Sequence, residues 1–364
     1  MHKIEIITLH KVKNYGSVLQ TYATQKIFEG KDLDVEIIDF RRRWETKLGY
    51  WFYLPHISPM NIFRLFLYFP SKIIQMSRFD SFLKKHIRLT RHSYKNSRDF
   101  NKYPIIADIY CTGSDQVWNS GWNQGVIEPY FLNFVQDEHA RKISYAASMG
   151  NGCIYAGEER IIRAYLNKYD YITVREISTK GMLRDVLHKP VKNVLDPTLQ
   201  LPRSEWETII SEERIISESY ILIIQLNRSS SFDAFVKKFS DEKKMKVVRL
   251  CLRVDQILSI GNPVVIPAAE DYLRLIRDSS YVLTDSFHAI SFCLNFEKQF
   301  YCMLPNDYSE RLCSILELTG LNGRIVSGDD QSWNESLIDY SVVTEIINEE
   351  RKRCDEIINE MIKV

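Results

Sequence analysis

The first forty residues restrict the fold more than any other stretch. Ile4 to Leu9 is a short apolar run (IEIITL), the stretch from Ser17 to Phe28 has helical spacing, and Val35 to Phe40 is a second short apolar run. A strand, a loop, an amphipathic helix and a second strand make a crossover, which leaves the two strands parallel. A parallel sheet needs helices on both faces, so the class is α/β.

The alternation returns after residue 100. Strands are expected over Ala107 to Ser114, Lys142 to Ser148, Tyr171 to Glu176 and Val191 to Pro197, with helices over Glu158 to Asn167 and Thr179 to Leu187. After a short connecting helix from Pro202 to Ile210, a second series begins. It contains strand YILIIQL from Tyr220, helix Asp233 to Phe239, strand KVVRLCL, a loop through Pro263 and Pro267, helix Glu270 to Asp278, a strand at Tyr281 to Leu283, strand QFYCML and helix Ser309 to Leu318. A chain of 364 residues is too long for one ordinary core. The expected organisation is two Rossmann-like domains, 1–200 and 201–340, with a charged amphipathic helix over 341–364 packed back across a domain.

Residues 41–100 break the rhythm and read as a helical, aromatic insertion. Its aromatics Trp51, Phe52, Phe63, Phe66 and Phe69 either pack on the domain or, beside Arg64, Lys72, Arg78, Lys84 and Lys85, rest on an anionic membrane surface. The charge-free run over 48–63 is interrupted by Pro55 and Pro59 and falls short of the roughly 20 residues that span a bilayer. The opening residues read as a strand rather than a signal peptide. A formal net charge of only +1 argues against a nucleic-acid binder that relies on a broad basic surface. The seven cysteines form no CxxC pair and no His/Cys cluster at zinc spacing, so they read as reduced core residues of a cytosolic protein without a structural metal.

Tyr281 to Phe292 (YVLTDSFHAISF) concentrates reactive groups. Apolar spacing switches there from strand to helix, leaving Thr284, Asp285, Ser286 and His288 at the turn. Helix-start N–H groups at the carboxyl end of a parallel strand favour an anion. The alternative is that Asp285 or Ser286 caps the helix and His288 is a hydrogen-bonded core histidine. Asn14, Ser114 with Asp115, Ser148, Arg175, Asp196 and Asp285 all fall at or just beyond the carboxyl ends of expected strands. In two doubly wound domains facing each other, those ends line one interdomain cleft.

With these loops in order, the chain resembles the polysaccharide pyruvyl transferase family. The resemblance is carried by NYGSVLQTYA (Asn14 to Ala23), TGSDQVWN (Thr112 to Asn119), ISYAAS (Ile143 to Ser148), VRE (Val174 to Glu176), VLDPTL (Val194 to Leu199) and YVLTDSFH (Tyr281 to His288). It implies a fold similar to B-type glycosyltransferases. It also implies transfer of the enolpyruvyl unit of phosphoenolpyruvate to two hydroxyls of one sugar, giving a cyclic ketal and phosphate. No cofactor is expected beyond this co-substrate. The implied acceptor is a sugar of a bacterial surface glycan built on a lipid carrier, with possible work at the cytoplasmic face of the inner membrane.

The resemblance implies roles for residues. His288 matches the motif histidine and is the candidate general acid and base; a helix N-terminus should lower its pKa and bound donor anions should raise it. Arg175 is assigned to the phosphate or carboxylate of the donor, against an ion pair with Glu176 or Asp196. Several family members carry an arginine where this chain has Ser286, and Arg311 in the next helix is the candidate to supply that charge. Asp115, between Ser114 and Gln116, either receives sugar hydroxyls and their protons or caps a helix. Gly16, with Asn14 and Tyr15 beside it, either lets the loop backbone approach a ligand or serves a tight turn. Asp285 either orients His288 or caps its helix, and Asp196 reads as structural. Two other functions stay open: a B-type glycosyltransferase using a nucleotide sugar, for which the triplet Asp32, Leu33, Asp34 is poor support, and an inactive scaffold of the same pathway.

Overall fold

The computed structural model describes residues 1–45, 59–150, 153–305, 309–326 and 332–363. Two compact units form, one from Met1–Tyr53, Phe82–Leu201 and Glu350–Val364, the other from Leu54–Ser81 and Pro202–Glu349.

In the first unit the elements run β1 (Lys3–Ile7), α1 (Tyr15–Glu29) and β2 (Asp34–Phe40), then the end of α2 (Pro59–His86), β3 (Leu89–Tyr94), α3 (Ser97–Lys102) and β4 (Ile109–Thr112). They continue with α4 (Ser120–Asn123), β5 (Arg141–Ala147), α5 (Glu159–Leu166), β6 (Tyr171–Val174), α6 (Ile177–Leu187), β7 (Lys192–Asn193) and α7 (Pro197–Gln200). All seven strands are parallel, in the order β3-β2-β1-β4-β5-β6-β7. Register places Ile4 beside Val35 on one side and Ile109 on the other.

The second unit holds α8 (Arg203–Glu207), β8 (Tyr220–Ile224), α9 (Ser230–Lys243), β9 (Lys246–Cys251), β10 (Asn262–Val265), α10 (Ala269–Asp278), β11 (Tyr281–Thr284), α11 (Phe287–Asn295), β12 (Gln299–Cys302) and α12 (Glu310–Leu318). Its parallel sheet runs β10-β9-β8-β11-β12. All five residues of β8 are buried, so it reads as a continuous apolar run rather than an alternating one. Beside it Val282 and Leu283 of β11 are fully buried, each worth about 1.5–3 kcal/mol of transfer free energy. The last helix, α13 (Tyr340–Met361), contributes residues 350–361 to the first unit. There Arg351 Nε donates to Leu199 O at 2.9 Å and Cys354 is fully buried.

The α/β class and the two Rossmann-like domains are as expected. Two strands were not. The expected helical insertion contains β3, an edge strand beside β2, and the expected loop through Pro263 contains β10, an edge strand beside β9. Proline cannot donate to a ladder, and an edge position tolerates that loss. Trp51 and Phe52 lie outside the described residues, as do the side chains of Phe63 and Phe66. Five cysteines are buried, whereas Cys153 is exposed and Cys313 half-buried.

Candidate functional site

Each sheet has one point where the strand order reverses. In the first unit the chain builds outward from β1 through β2 to β3, then returns to lay β4 on the other side of β1. The loops after β1 and β4 therefore part there and leave a crevice, the usual place for a ligand in such sheets.

At this point Asn14 caps α1, its Oδ1 accepting from Gly16 N at 2.8 Å. Tyr15 and Gly16 are the first two residues of that helix, and both are buried. Gly16 belongs to the helix rather than to the loop and takes no left-handed conformation.

Asp115 follows β4 with φ of 75°, in the left-handed region that costs most side chains free energy but that aspartate tolerates comparatively well. Its Oδ2 accepts from Ser17 Oγ at 2.6 Å and its Oδ1 from Gln116 N at 2.9 Å. No helix starts here, since α4 begins only at Ser120. The helix-cap reading of Asp115 is therefore not what the structure shows. Beside it Ser114 is fully buried; its carbonyl accepts from Thr8 Oγ1, and its own Oγ has no hydrogen-bond partner among the described residues. Gln116 Oε1 accepts from Asn119 Nδ2 at 2.6 Å.

Arg175 sits just beyond β6, buried among three carboxylates. Its Nη1 donates to Asp196 Oδ2, its Nε lies 3.3 Å from Glu176 Oε1 and its Nη2 lies 3.9 Å from Asp115 Oδ1. Burial alone would lower its pKa, but Asp196, Glu176 and Asp115 outweigh burial and hold it above the ordinary value. Ser148 Oγ extends the network by donating to Glu176 Oε1 at 2.6 Å. The ion pairs with Glu176 and Asp196 are the second of the two readings of Arg175. A donor anion approaching this guanidinium would also meet three carboxylates. Asp196 caps α7 through Thr198 N at 2.9 Å, a structural role.

In the second unit the strand order reverses between β8 and β11. Ser286 is the cap of α11, its Oγ accepting from Ala289 N at 3.4 Å. Asp285 instead binds across to the loop after β8: Oδ1 accepts from Leu226 N at 2.7 Å, and Oδ2 accepts from Asn227 N at 2.8 Å and Asn227 Nδ2 at 3.1 Å. The cap reading of Asp285 is corrected by this geometry. Burial raises the Asp285 pKa, and the hydrogen bonds from Leu226 and Asn227 offset only part of that rise.

His288 occupies the first turn of α11, as the spacing predicts, with its ring edge-on to Phe287 at 5.3 Å between centroids. Arg311, in the first turn of α12, places its guanidinium 5.6 Å from the centre of the same Phe287 ring. Asp285 lines a cavity of about 590 Å³ together with Asn227, Arg228, Ser229, Phe232 and Leu304. Arg228 is largely exposed and donates to Asp255 at 2.8 Å.

Sequence reasoning missed Ser17, Asn227 and Arg228. Their partners lie far along the chain, 98 residues for Ser17 and 58 for Asn227. One local signal existed for Arg228: the helix expected to begin at Asp233 starts at Ser230, with Ser229 as its cap.

Among the described residues no group of His, Cys, Asp and Glu could hold a metal ion.

The model of the family described as polysaccharide pyruvyl transferase matches residues 14–308, a span that includes Asn14, Asp115, Arg175, Asp285 and His288 but not Arg311. The chain belongs to the polysaccharide pyruvyl transferase family. No curated protein sequence matches it. Solved structures similar to this pyruvyl transferase family chain are GT-B-type glycosyltransferases and epimerases. A putative UDP-N-acetylglucosamine 2-epimerase from Listeria monocytogenes is 10% identical with a TM-score of 0.52, over 97% of this chain and 90% of that one. Arabidopsis thaliana UGT89C1, complexed with UDP-L-rhamnose, is 10% identical with a TM-score of 0.51, over 100% and 99%. At such identities the likeness is one of fold alone.

Proposed function

We propose that the protein transfers the pyruvyl unit of phosphoenolpyruvate to two hydroxyls of one sugar in a surface-polysaccharide precursor, forming a cyclic ketal and releasing phosphate. Family membership supports a polysaccharide acceptor. The observation that carries the donor reading is the switch point of the second unit. A histidine in a first helical turn follows three residues after an aspartate that lines a cavity, with Arg228 in the lining and Arg311 close to Phe287.

The donor carries a phosphate and a carboxylate, so it needs cations. Arg228 and Arg311 supply them, and the free N–H groups that open α9 add donors for the phosphate. His288 protonates the methylene carbon of the donor, which leaves positive charge on the neighbouring carbon. A sugar hydroxyl adds to that carbon and gives its proton to Asp115. Phosphate then leaves, and the second hydroxyl closes the ring. In balance, the methylene carbon gains one proton, the two hydroxyls lose two, and phosphate departs with the other. Arg175 acts in this scheme by fixing the Asp115 carboxylate rather than by touching the donor. The acceptor is a lipid-linked oligosaccharide at the cytoplasmic face of the membrane.

The test is incubation with phosphoenolpyruvate and a panel of lipid-linked or aryl hexosides. Phosphate release that depends on the hexoside, with a ketal methyl signal in the product, is expected. A hexoside extended by a sugar from a nucleotide-sugar panel, without any response to phosphoenolpyruvate, would overturn the proposal.

A further inference from the structure

The loop that leaves β4 after Asp115 carries two tryptophans four residues apart, in opposite surroundings. Trp118 is buried and its Nε1 donates to Tyr130 O at 3.0 Å, so the core accounts for it. Trp122, in α4, is 41% exposed. An indole left that far in water forgoes much of the stabilisation that its burial would bring.

The exposed indole is nevertheless held firmly. The guanidinium of Arg42, just beyond the carboxyl end of β2, lies 4.3 Å from the centre of the Trp122 ring. Arg42 is itself only 4% exposed. Its Nη1 donates to Asn123 Oδ1 at 2.6 Å, its Nη2 donates to Glu45 Oε1 at 2.5 Å, and the Trp44 ring stands 5.0 Å away. Arg42 therefore has an anion, an amide and another aromatic ring without Trp122. What the contact adds is a fixed orientation for the indole.

Hydrogen bonds also tie Trp122 to the switch point of the first sheet. Asn123 Nδ2 donates to Gln116 O and to Val117 O, each at 3.1 Å. Trp122 N donates to Asn119 Oδ1 at 3.1 Å, and Asn119 Nδ2 in turn donates to Gln116 Oε1. Two routes thus lead from the indole to Gln116, the neighbour of Asp115. Tyr155 borders the same spot: its hydroxyl lies against Gly121, 2.4 Å from where a Cβ would stand, and the residue is 44% exposed.

We propose that Trp122 is a stacking platform for a pyranose ring of the acceptor glycan, next along the chain from the sugar that meets Asp115. The C–H face of a pyranose carries partial positive charge, which the face of an indole attracts. Its hydroxyls suit amide and hydroxyl groups such as those of Gln116 and Tyr155. Family membership supports a polysaccharide acceptor, whereas one indole offers too little area for a stable protein interface. The inference rests on the proposed role of Asp115 and adds that the acceptor is recognised over more than one sugar.

The experiment is calorimetry of the full chain, without phosphoenolpyruvate, against purified bacterial surface polysaccharides and the mono-, di- and trisaccharides released from them. Wild type, Trp122→Ala and Trp122→Phe are compared, each checked for an unchanged thermal transition. Wild type should bind a di- or trisaccharide about tenfold or more tighter than the matching monosaccharide. Trp122→Ala should lose that gain from the added sugar, and Trp122→Phe, which keeps an aromatic face, should retain part of it. Tryptophan fluorescence of wild type should change on binding the longer fragment, and that change should be absent from Trp122→Phe. Phosphate release is read separately: a glycan that binds with this length dependence but releases no phosphate from phosphoenolpyruvate counts against the pyruvyl transfer reading, not against the platform. Binding of no fragment by wild type, equal affinity for short and long fragments, or an undiminished gain in Trp122→Ala overturns the proposal. So does a wild-type dimer in sedimentation velocity that Trp122→Ala converts to monomer, which would assign the indole to a second copy of the chain.

Discussion

Ser17 Oγ donates a 2.6 Å hydrogen bond to Asp115 Oδ2, tying the first turn of α1 to the residue that leaves β4 across the switch point of the first sheet. Asp115 pays for its place with a left-handed backbone, and it keeps a carboxylate at a position where a capping role is absent. That combination fits a group held for a ligand.

Asp115→Asn should remove proton acceptance while keeping the size and the tolerance of this backbone. Acceptor-dependent turnover should fall at least 100-fold, the lower range for loss of a general base, with the urea midpoint close to wild type. Asp115→Ala should add about 1 kcal/mol of instability from backbone strain. Steady-state kinetics and urea denaturation on the same preparations check both.

Arg175 neutralises Glu176 and Asp196 in a buried site and stands near Asp115. Arg175→Ala should therefore destabilise the first unit by about 3–5 kcal/mol, since it strands carboxylates away from water. Denaturant unfolding followed by tryptophan fluorescence measures this. A loss below about 1 kcal/mol would mean that the guanidinium is not needed by its neighbours.

Arg228→Ala should raise the KM for phosphoenolpyruvate about tenfold or more, as loss of a charge-assisted contact does, and leave kcat with saturating donor nearly unchanged. Arg228→Lys should recover part of the affinity. Initial-rate kinetics at varied donor concentration separate the two parameters.

Glu5 lies in the middle of β1 with its side chain almost wholly buried, 2.8 Å from Lys3 Nζ, which also reaches Glu36 at 2.9 Å. Burial pushes its pKa up from 4.5 to about 8, against the pull of Lys3. Between these values the folded chain holds a proton that the unfolded chain has released. The Glu5 contribution is thus fully present below pH 4.5 and is lost as pH rises towards about 8, with a slope of at most about 1.4 kcal/mol per pH unit. The difference in urea stability between wild type and Glu5→Gln, followed across this window, should shift in favour of the variant as pH rises.

The parallel strands of both central sheets were legible because burial on both faces writes continuous apolar runs such as YILII and YVLT. The edge strands were not. LTRHSY of β3 is buried only at Tyr94, and β10 carries Pro263, so neither shows a strand pattern on its own. At the site, the strand-to-helix switch placed His288 in the first helical turn because that signal is local, but it left the cap open between Asp285 and Ser286. The partners of Asp285 and Asp115 escaped because pairing of β11 with β8 and of β4 with β1 brings them together, and no neighbouring residue announces that.

The central claim is that His288 handles the proton in transfer from phosphoenolpyruvate. The direct measurement is hexoside-dependent phosphate release by wild type and His288→Ala, with donor binding followed by calorimetry on both. The account predicts release by wild type, loss of at least 100-fold in the variant, and donor binding that survives in both. Release by His288→Ala at the wild-type rate would contradict it.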